Sequence, residues 1–168
     1  MQDRSNIVLI GMPGSGKTTI GKLLAEHTNK QFIDGDQLLE EASKLDLQDI
    51  VDLRGLDYFR ALEEDVLGNL DCQESVIATG GSAVYSAKAM HALKKHGVVV
   101  YLYISLATML ERVKNQDSRG LVKKPGTTLE SLYQEREALY PQFAEVTIDN
   151  NQPVTAESIE SMVTAISN

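Results

Sequence analysis

The stretch Ile7-Val8-Leu9-Ile10-Gly11-Met12-Pro13-Gly14-Ser15-Gly16-Lys17-Thr18 decides how this chain is read. Its first four residues are a short continuous apolar run, expected of a buried strand. The next eight satisfy G-x-x-x-x-G-K-[ST], and a helical pattern continues from about Lys17 to Thr28. Glycines let successive backbone N–H groups turn toward one point, and the new helix aims its N-terminus there. Lys17 can reach the outer phosphates of a nucleotide, and the Thr18 hydroxyl can ligate Mg²⁺. Gly11, Gly14, Ser15, Gly16, Lys17, Thr18 and Thr19 are the candidate phosphate contacts. The bland alternative, a flexible glycine turn, does not account for the agreement of pattern, position and flanks. The motif implies nucleotide binding; by itself it does not imply catalysis.

Working outward, short apolar runs alternate with helical patterns. Strands are expected at Gln31–Ile33, Val76–Thr79, Val98–Ile104 and Glu145–Ile148. Helices are expected over Gln37–Leu45, Gln48–Leu53, Tyr58–Leu70, a segment capped by Ser86 and stopped at Gly97, and Leu106–Val113. Another runs from a Thr127/Glu130 capping box to about Leu139, and a last one covers Thr155–Ile166. Val98–Ile104 is apolar on both faces, as a central parallel strand is. This alternation predicts an α/β domain, a five-stranded parallel sheet flanked by helices, spanning residues 1–168 without repeats or linkers. Ligands of such sheets bind at the carboxyl ends of the strands, so residues just after each strand carry the information.

The formal net charge of −8 sets a long-range field that repels polyanions, so nucleic acid is not an expected partner. A local nest of N–H groups can still hold nucleotide phosphates in an acidic protein. No run approaches the ~20 apolar residues that span a bilayer. Met1-Gln-Asp-Arg-Ser lacks the apolar run of a signal peptide, so a cytoplasmic location is expected. The single cysteine, Cys72, has no intrachain disulfide partner and no basic neighbour to activate it, so it reads as inert. His27, His91 and His96 read as surface or packing residues.

Phe32-Ile33-Asp34-Gly35-Asp36 sets two carboxylates at a strand end. In an extended segment residues i and i+2 share a face, so both would point into the cleft beside the phosphate loop. One could orient hydrated Mg²⁺; the other could accept a proton from an attacking hydroxyl. The alternative is that Asp36 only caps the next helix.

These features together resemble the shikimate kinase family, a branch of the nucleoside-monophosphate-kinase-like P-loop proteins, from the first strand to near residue 155. The resemblance implies a three-layer P-loop kinase fold with a mobile lid at about 115–127 and a substrate-binding helical region at about 34–62. It places Asp34 in the Mg²⁺ network and Asp36 on the substrate hydroxyl. In Phe59-Arg60-Ala61-Leu62-Glu63, Arg60 would bind the substrate carboxylate and Glu63 would hold its guanidinium. Gly80-Gly81-Ser82 matches the glycine turn that approaches the substrate. Arg119, in Asp117-Ser118-Arg119-Gly120-Leu121, matches the lid arginine, and Arg136, in Arg136-Glu-Ala-Leu-Tyr140, a second carboxylate ligand. Arg112 falls where the family stacks an arginine on adenine, and Gln152 and Pro153 lie in the adenine loop. Each arginine alone has the reading of a solvated surface residue.

The implied activity is ATP- and Mg²⁺-dependent phosphorylation of a small hydroxy acid, shikimate to shikimate 3-phosphate, by a monomer. Lys17, Asp36 and Arg119 would be its catalytic groups. Three motifs depart from the family pattern: Ser82 stands for the third glycine, Gly55-Leu56 for Gly-Glu, and Arg119-Gly120-Leu121-Val122 for Arg-Pro-Leu-Leu. A left-handed backbone at Ser82 would be strained; otherwise its hydroxyl lines the pocket. The departures cluster at the acceptor pocket and lid. Two alternatives therefore stand beside this reading: a kinase for another hydroxy acid or homoserine, and a nucleotide-binding module without catalysis.

Overall fold

The computed structural model describes residues 4–115, 121, 123–124 and 126–168. Along the chain it runs β1 (Asn6–Ile10), α1 (Lys17–Thr28), β2 (Gln31–Asp34), α2 (Gly35–Ser43), α3 (Leu47–Arg54) and α4 (Leu56–Gly68). Then come β3 (Ser75–Ala78), a 3-10 turn (Ala83–Tyr85), α5 (Ala87–His96), β4 (Gly97–Tyr103) and α6 (Leu106–Lys114). After the segment that contains Arg119, which lies outside the described residues, follow α7 (Leu129–Glu137), the short α8 (Tyr140–Phe143), β5 (Val146–Asp149) and α9 (Ala156–Ser167).

The strands pair in parallel in the order β2-β3-β1-β4-β5. β1 is central, with Ile7 opposite Val76 on one side and Val98 on the other. Two-residue periodicity then divides the strands between two cores. Val8, Ile10, Val99 and Tyr101 face the layer containing α5, α6 and α7, where Met90, Met109 and Tyr133 meet them. Ile7, Leu9, Val100 and Leu102 face Ile20 and Leu24 of α1 and Ile159 and Met162 of α9. A third cluster, Leu39, Leu47, Ile50 and Phe59, joins α2, α3 and α4 beside the sheet. Because every pairing is parallel, the carboxyl ends of all five strands lie along one edge.

Local boundaries differ from expectation where tertiary contacts decide them. Thr128, not Thr127, caps α7, accepting from the Ser131 N–H. Helix α2 begins at Gly35, so Asp36 lies in a first helical turn and not in extended chain. Gly97 ends α5 in an extended conformation, φ −153°, and opens β4. Its glycine is required by the approach of β1: a Cβ there would lie 2.9 Å from the Asn6 carbonyl oxygen.

A buried clip fixes the start of the sheet. The Asn6 side-chain amide donates to the Cys72 carbonyl at 2.8 Å and accepts from the Ser75 N–H at 3.0 Å. Cys72 is half-buried, and burial pushes its thiol pKa up, in keeping with an inert side chain. Asn6→Ala would leave buried backbone groups without partners. We expect it to destabilise the fold by about 1–3 kcal/mol in urea unfolding followed by circular dichroism. A change below about 0.5 kcal/mol would show that water replaces the clip.

Candidate active site

Four loops meet at the carboxyl edge of the sheet, and the phosphate loop is the best fixed of them. Met12, unassigned by the motif, is fully buried and packs its loop into the core. Gly14 and Gly16 take φ of 77° and 94°, which only glycine adopts without strain. Two side-chain hydrogen bonds from distant segments hold the loop, and a third links the two braces. The Asn150 amide donates to the Ser15 carbonyl at 2.7 Å. The Arg112 guanidinium donates to the Gly14 carbonyl at 3.1 Å and the Asn150 carbonyl at 2.7 Å. Arg112 therefore sits between the loop and the residue that follows β5; Gln152 and Pro153, two and three residues further on, are exposed. Asn150 carries no recognisable motif residue for this role; only the approach of β5 reveals it.

The Lys17 ammonium donates to the carbonyls of Gly11 and Met12, both at 2.8 Å. Burial lowers its pKa to about 8, against the opposing pull of Asp36 and Asp34. Thr18 and Thr19 are exposed on the first turn of α1.

Asp34 closes β2 and caps α2, its carboxylate accepting from the Asp36 N–H at 3.0 Å. The capping role weighed for Asp36 thus belongs to Asp34. Asp36 is left without that duty and faces inward; burial first, then the Asp34 charge, raises its pKa to about 6.

After β3, Thr79 ties the strand end to β1 through a 2.8 Å bond from its hydroxyl to the Leu9 carbonyl. Gly80 and Gly81 follow. A Cβ at Gly80 would lie 2.8 Å from Asp36 Oδ1 and 3.0 Å from Glu63 Oε2. At Gly81 it would lie 2.7 Å from a terminal Arg136 nitrogen and 3.3 Å from Pro13 of the phosphate loop. The turn is thus the point where Asp36, Glu63, Arg136 and the phosphate loop converge. The Tyr140 hydroxyl fixes it from below by donating to the Gly81 carbonyl at 2.8 Å.

Ser82 resolves the open question of the third glycine. Its φ is −90°, free of strain, and its hydroxyl donates to Glu63 Oε1 at 2.7 Å. Glu63 is buried, which raises its pKa to about 7 against the opposing Ser82 hydrogen bond. The expected hydrogen bond from Arg60 to the Glu63 carboxylate is absent among the described residues: Glu63 Oε2 and Arg60 Nε have no hydrogen-bond partner. The Arg60 guanidinium instead lies over the Tyr85 ring, 4.3 Å from its centroid. Arg60, Glu63, Ser82 and Tyr85 line a cleft of about 260 Å³. Arg136, expected at this site, is buried beside it, with a terminal nitrogen close to Gly81. Arg119 falls outside the described residues. Sequence reading missed Tyr85 and the Ser82–Glu63 bond, both of which need the folded turn to be seen.

A family model described as "Shikimate kinase" matches residues 13–167. A shikimate kinase of Sulfurihydrogenibium sp. is 38% identical over 162 residues, covering 96% of this chain and 97% of that protein. Shikimate kinase 1 of Escherichia fergusonii is 39% identical over 170 residues, covering 97% and 98%. Among solved structures, shikimate kinase from Acinetobacter baumannii in complex with shikimate superposes with a TM-score of 0.87 at 34% identity, covering 97% of this chain and 93% of that one. With its strand order, its phosphate loop and its converging acceptor-side groups, this chain belongs to the shikimate kinase family.

Proposed function

We propose that this protein transfers the γ-phosphoryl group of ATP to a ring hydroxyl of shikimate, giving shikimate 3-phosphate and ADP. The observation that carries this reading is the convergence at Gly80–Gly81. Two carboxyl groups, one guanidinium and the phosphate loop come within a few ångströms of two glycines that carry no side chain. An anionic acceptor bearing a hydroxyl fits that set of groups. Related proteins point the same way: the Acinetobacter baumannii structure was solved with shikimate.

In this mechanism Gly11, Gly14, Ser15, Gly16, Lys17, Thr18 and Thr19 hold the phosphates. Arg112, Gln152 and Pro153 form the adenine side. Arg60 and Arg136 grip the acceptor carboxylate, with Gly80, Gly81 and Ser82 beneath the ring. Asp36 accepts the proton of the attacking hydroxyl as the new O–P bond forms and the bond to the β-phosphate oxygen breaks. Lys17 and Arg119 offset the charge that develops on the phosphoryl oxygens. Most of the rate comes from position and fixed charge, and excluded water protects ATP from hydrolysis.

Mg²⁺ fits the residues available to it. The Thr18 hydroxyl and the Asp34 carboxylate are hard oxygen donors. No group of three or more His, Cys, Asp or Glu ligands occurs among the described residues. That suits an ion which keeps waters and leans on one or two protein oxygens plus phosphates. When bound, it would neutralise the β- and γ-phosphate charge. We further propose a single kinase domain over residues 1–168, with acceptor-side helices at about 34–62 and a lid at about 115–127. We also propose that it acts as a monomer in the cytoplasm. No described helix is long and apolar enough to cross a membrane.

The direct test incubates the protein with Mg·ATP and shikimate and measures ADP release together with shikimate 3-phosphate. Efficient turnover, with homoserine and gluconate inactive, is expected; ATP binding without product would defeat the proposal. Asp36→Asn is expected to leave ATP affinity nearly unchanged and lower kcat by about two orders of magnitude or more. Normal turnover in that variant would remove Asp36 from the mechanism.

Two pH effects of opposite sign follow from the raised Asp36 pKa of about 6. The base must be ionised, so kcat/KM falls as pH drops through about 6, and that limb is missing from the residual activity of Asp36→Asn. The folded carboxyl holds its proton more tightly than the unfolded one. Its contribution to stability is therefore full below about pH 4 and lost as pH rises through about 6. Relative to Asp36→Asn, the parent should lose on the order of 2–3 kcal/mol over that window in urea unfolding. A constant difference across pH would show an ordinary, solvated Asp36.

A further inference from the structure

The two arginines assigned to the acceptor come from unconnected helices, Arg60 from α4 and Arg136 from α7. To grip one carboxylate they must stay close together, although like charges repel. A single side chain touches both. The Arg60 guanidinium carbon is 4.3 Å from the centroid of the Tyr85 ring and that of Arg136 is 5.4 Å away. Both distances lie within the range in which a ring face attracts a cation.

The hydroxyl of the same ring adds direction. It donates to Glu135 Oε1 at 2.7 Å and accepts from Arg136 Nε at 3.4 Å, both residues of α7. Burial raises the phenol pKa, so it remains a donor at neutral pH. The ring itself is rooted in the acceptor turn. Tyr85 ends the 3-10 turn that follows Gly80-Gly81-Ser82, with the Ala83 N–H bonded to the Gly80 carbonyl and the Tyr85 N–H to the Ser82 carbonyl, both at 3.1 Å. Ala83 and Val84 are buried beneath it. On the Arg60 side no hydrogen bond from Nε to a described residue competes with the ring for the orientation of the guanidinium.

We propose that Tyr85 is a positioning residue of the acceptor site, whose ring face aligns the Arg60 and Arg136 guanidinium groups for a shared anionic acceptor. This rests on the assignment of both arginines to the acceptor carboxylate. Among the described residues Tyr85 hydrogen-bonds Glu135, Arg136 and Ser82, and none of these bonds reaches the phosphate loop or Asp36, so its influence falls on acceptor binding. It is a specificity device: it tunes the site for a compact carboxylate set between two cations.

The test is steady-state kinetics with shikimate and ATP on Tyr85→Leu, Tyr85→Phe and Arg60→Ala, beside the parent. Tyr85→Leu should raise the shikimate KM about 5- to 30-fold, the effect of losing one or two such contacts, with kcat and the ATP KM within about twofold. Tyr85→Phe keeps the face and should restore most of the affinity. To hold shape constant, phenylalanine at position 85 is replaced by analogues of increasing fluorination, which weakens the negative ring face; the shikimate KM should climb with each step. An unchanged KM along that series, or a fall in kcat alone for Tyr85→Leu, overturns the proposal. If Arg60→Ala raises the shikimate KM while the Tyr85 variants do not, only the role of Tyr85 fails. If Arg60→Ala also leaves it unchanged, or the parent does not phosphorylate shikimate, the assignment of the arginines fails and takes the proposal with it.

Discussion

Close approach at two adjacent glycines is the constraint on which the site depends. Gly80 and Gly81 lie so near Asp36, Glu63, Arg136 and Pro13 that a Cβ at either position would force a neighbouring side chain to move. A side chain there would push carboxylate, guanidinium or phosphate loop outward, and charged groups are expensive to move within a partly buried pocket. The turn is in turn held by backbone: Thr79 is pinned to Leu9 of the central strand, and the Gly81 carbonyl is pinned by the buried Tyr140. The sheet therefore sets the position of the turn, and the turn sets how closely the ionisable groups gather.

That gathering has an electrostatic consequence. Lys17, Asp36 and Glu63 share a region poor in water, and burial is the largest influence on each. The lysine becomes a weaker base than usual and the carboxyls weaker acids, so their charges are held at a cost in folding stability. A ligand carrying both a carboxylate and phosphates supplies partners to the cations. Asp36 gains proton affinity suited to a base for a hydroxyl, which an exposed aspartate lacks. The overall charge of −8 says nothing about this local arrangement.

The parts legible from sequence are those written contiguously. The phosphate loop needs eight consecutive residues, Gly11–Thr18, and the strand–loop–helix context can be read from its flanks. The parallel sheet follows from alternating strand and helix patterns. The Asp34–Asp36 pair was visible, but its geometry was not: the Asp34 carboxylate starts helix α2 early and moves Asp36 out of extended chain. At α7 two adjacent threonines could each cap, and Thr128 takes the position with Ser131 as its partner. Contacts that join distant segments had no local signature. The Ser82–Glu63 bond spans 19 positions and joins helix α4 to the turn after β3; the Asn150–Ser15 bond spans 135 and joins the ends of β5 and β1.

The Asn150–Ser15 bond also bears on how the protein is made. Synthesis proceeds from the N-terminus, so the phosphate loop leaves the ribosome early, while the amide that braces it lies 135 residues downstream. Arg112, the other brace, needs the Asn150 carbonyl to complete its own pair of bonds. A nascent chain thus carries the whole nucleotide signature long before it carries the supports that shape it. The bracing of the phosphate loop is therefore complete only once the end of β5 has reached it.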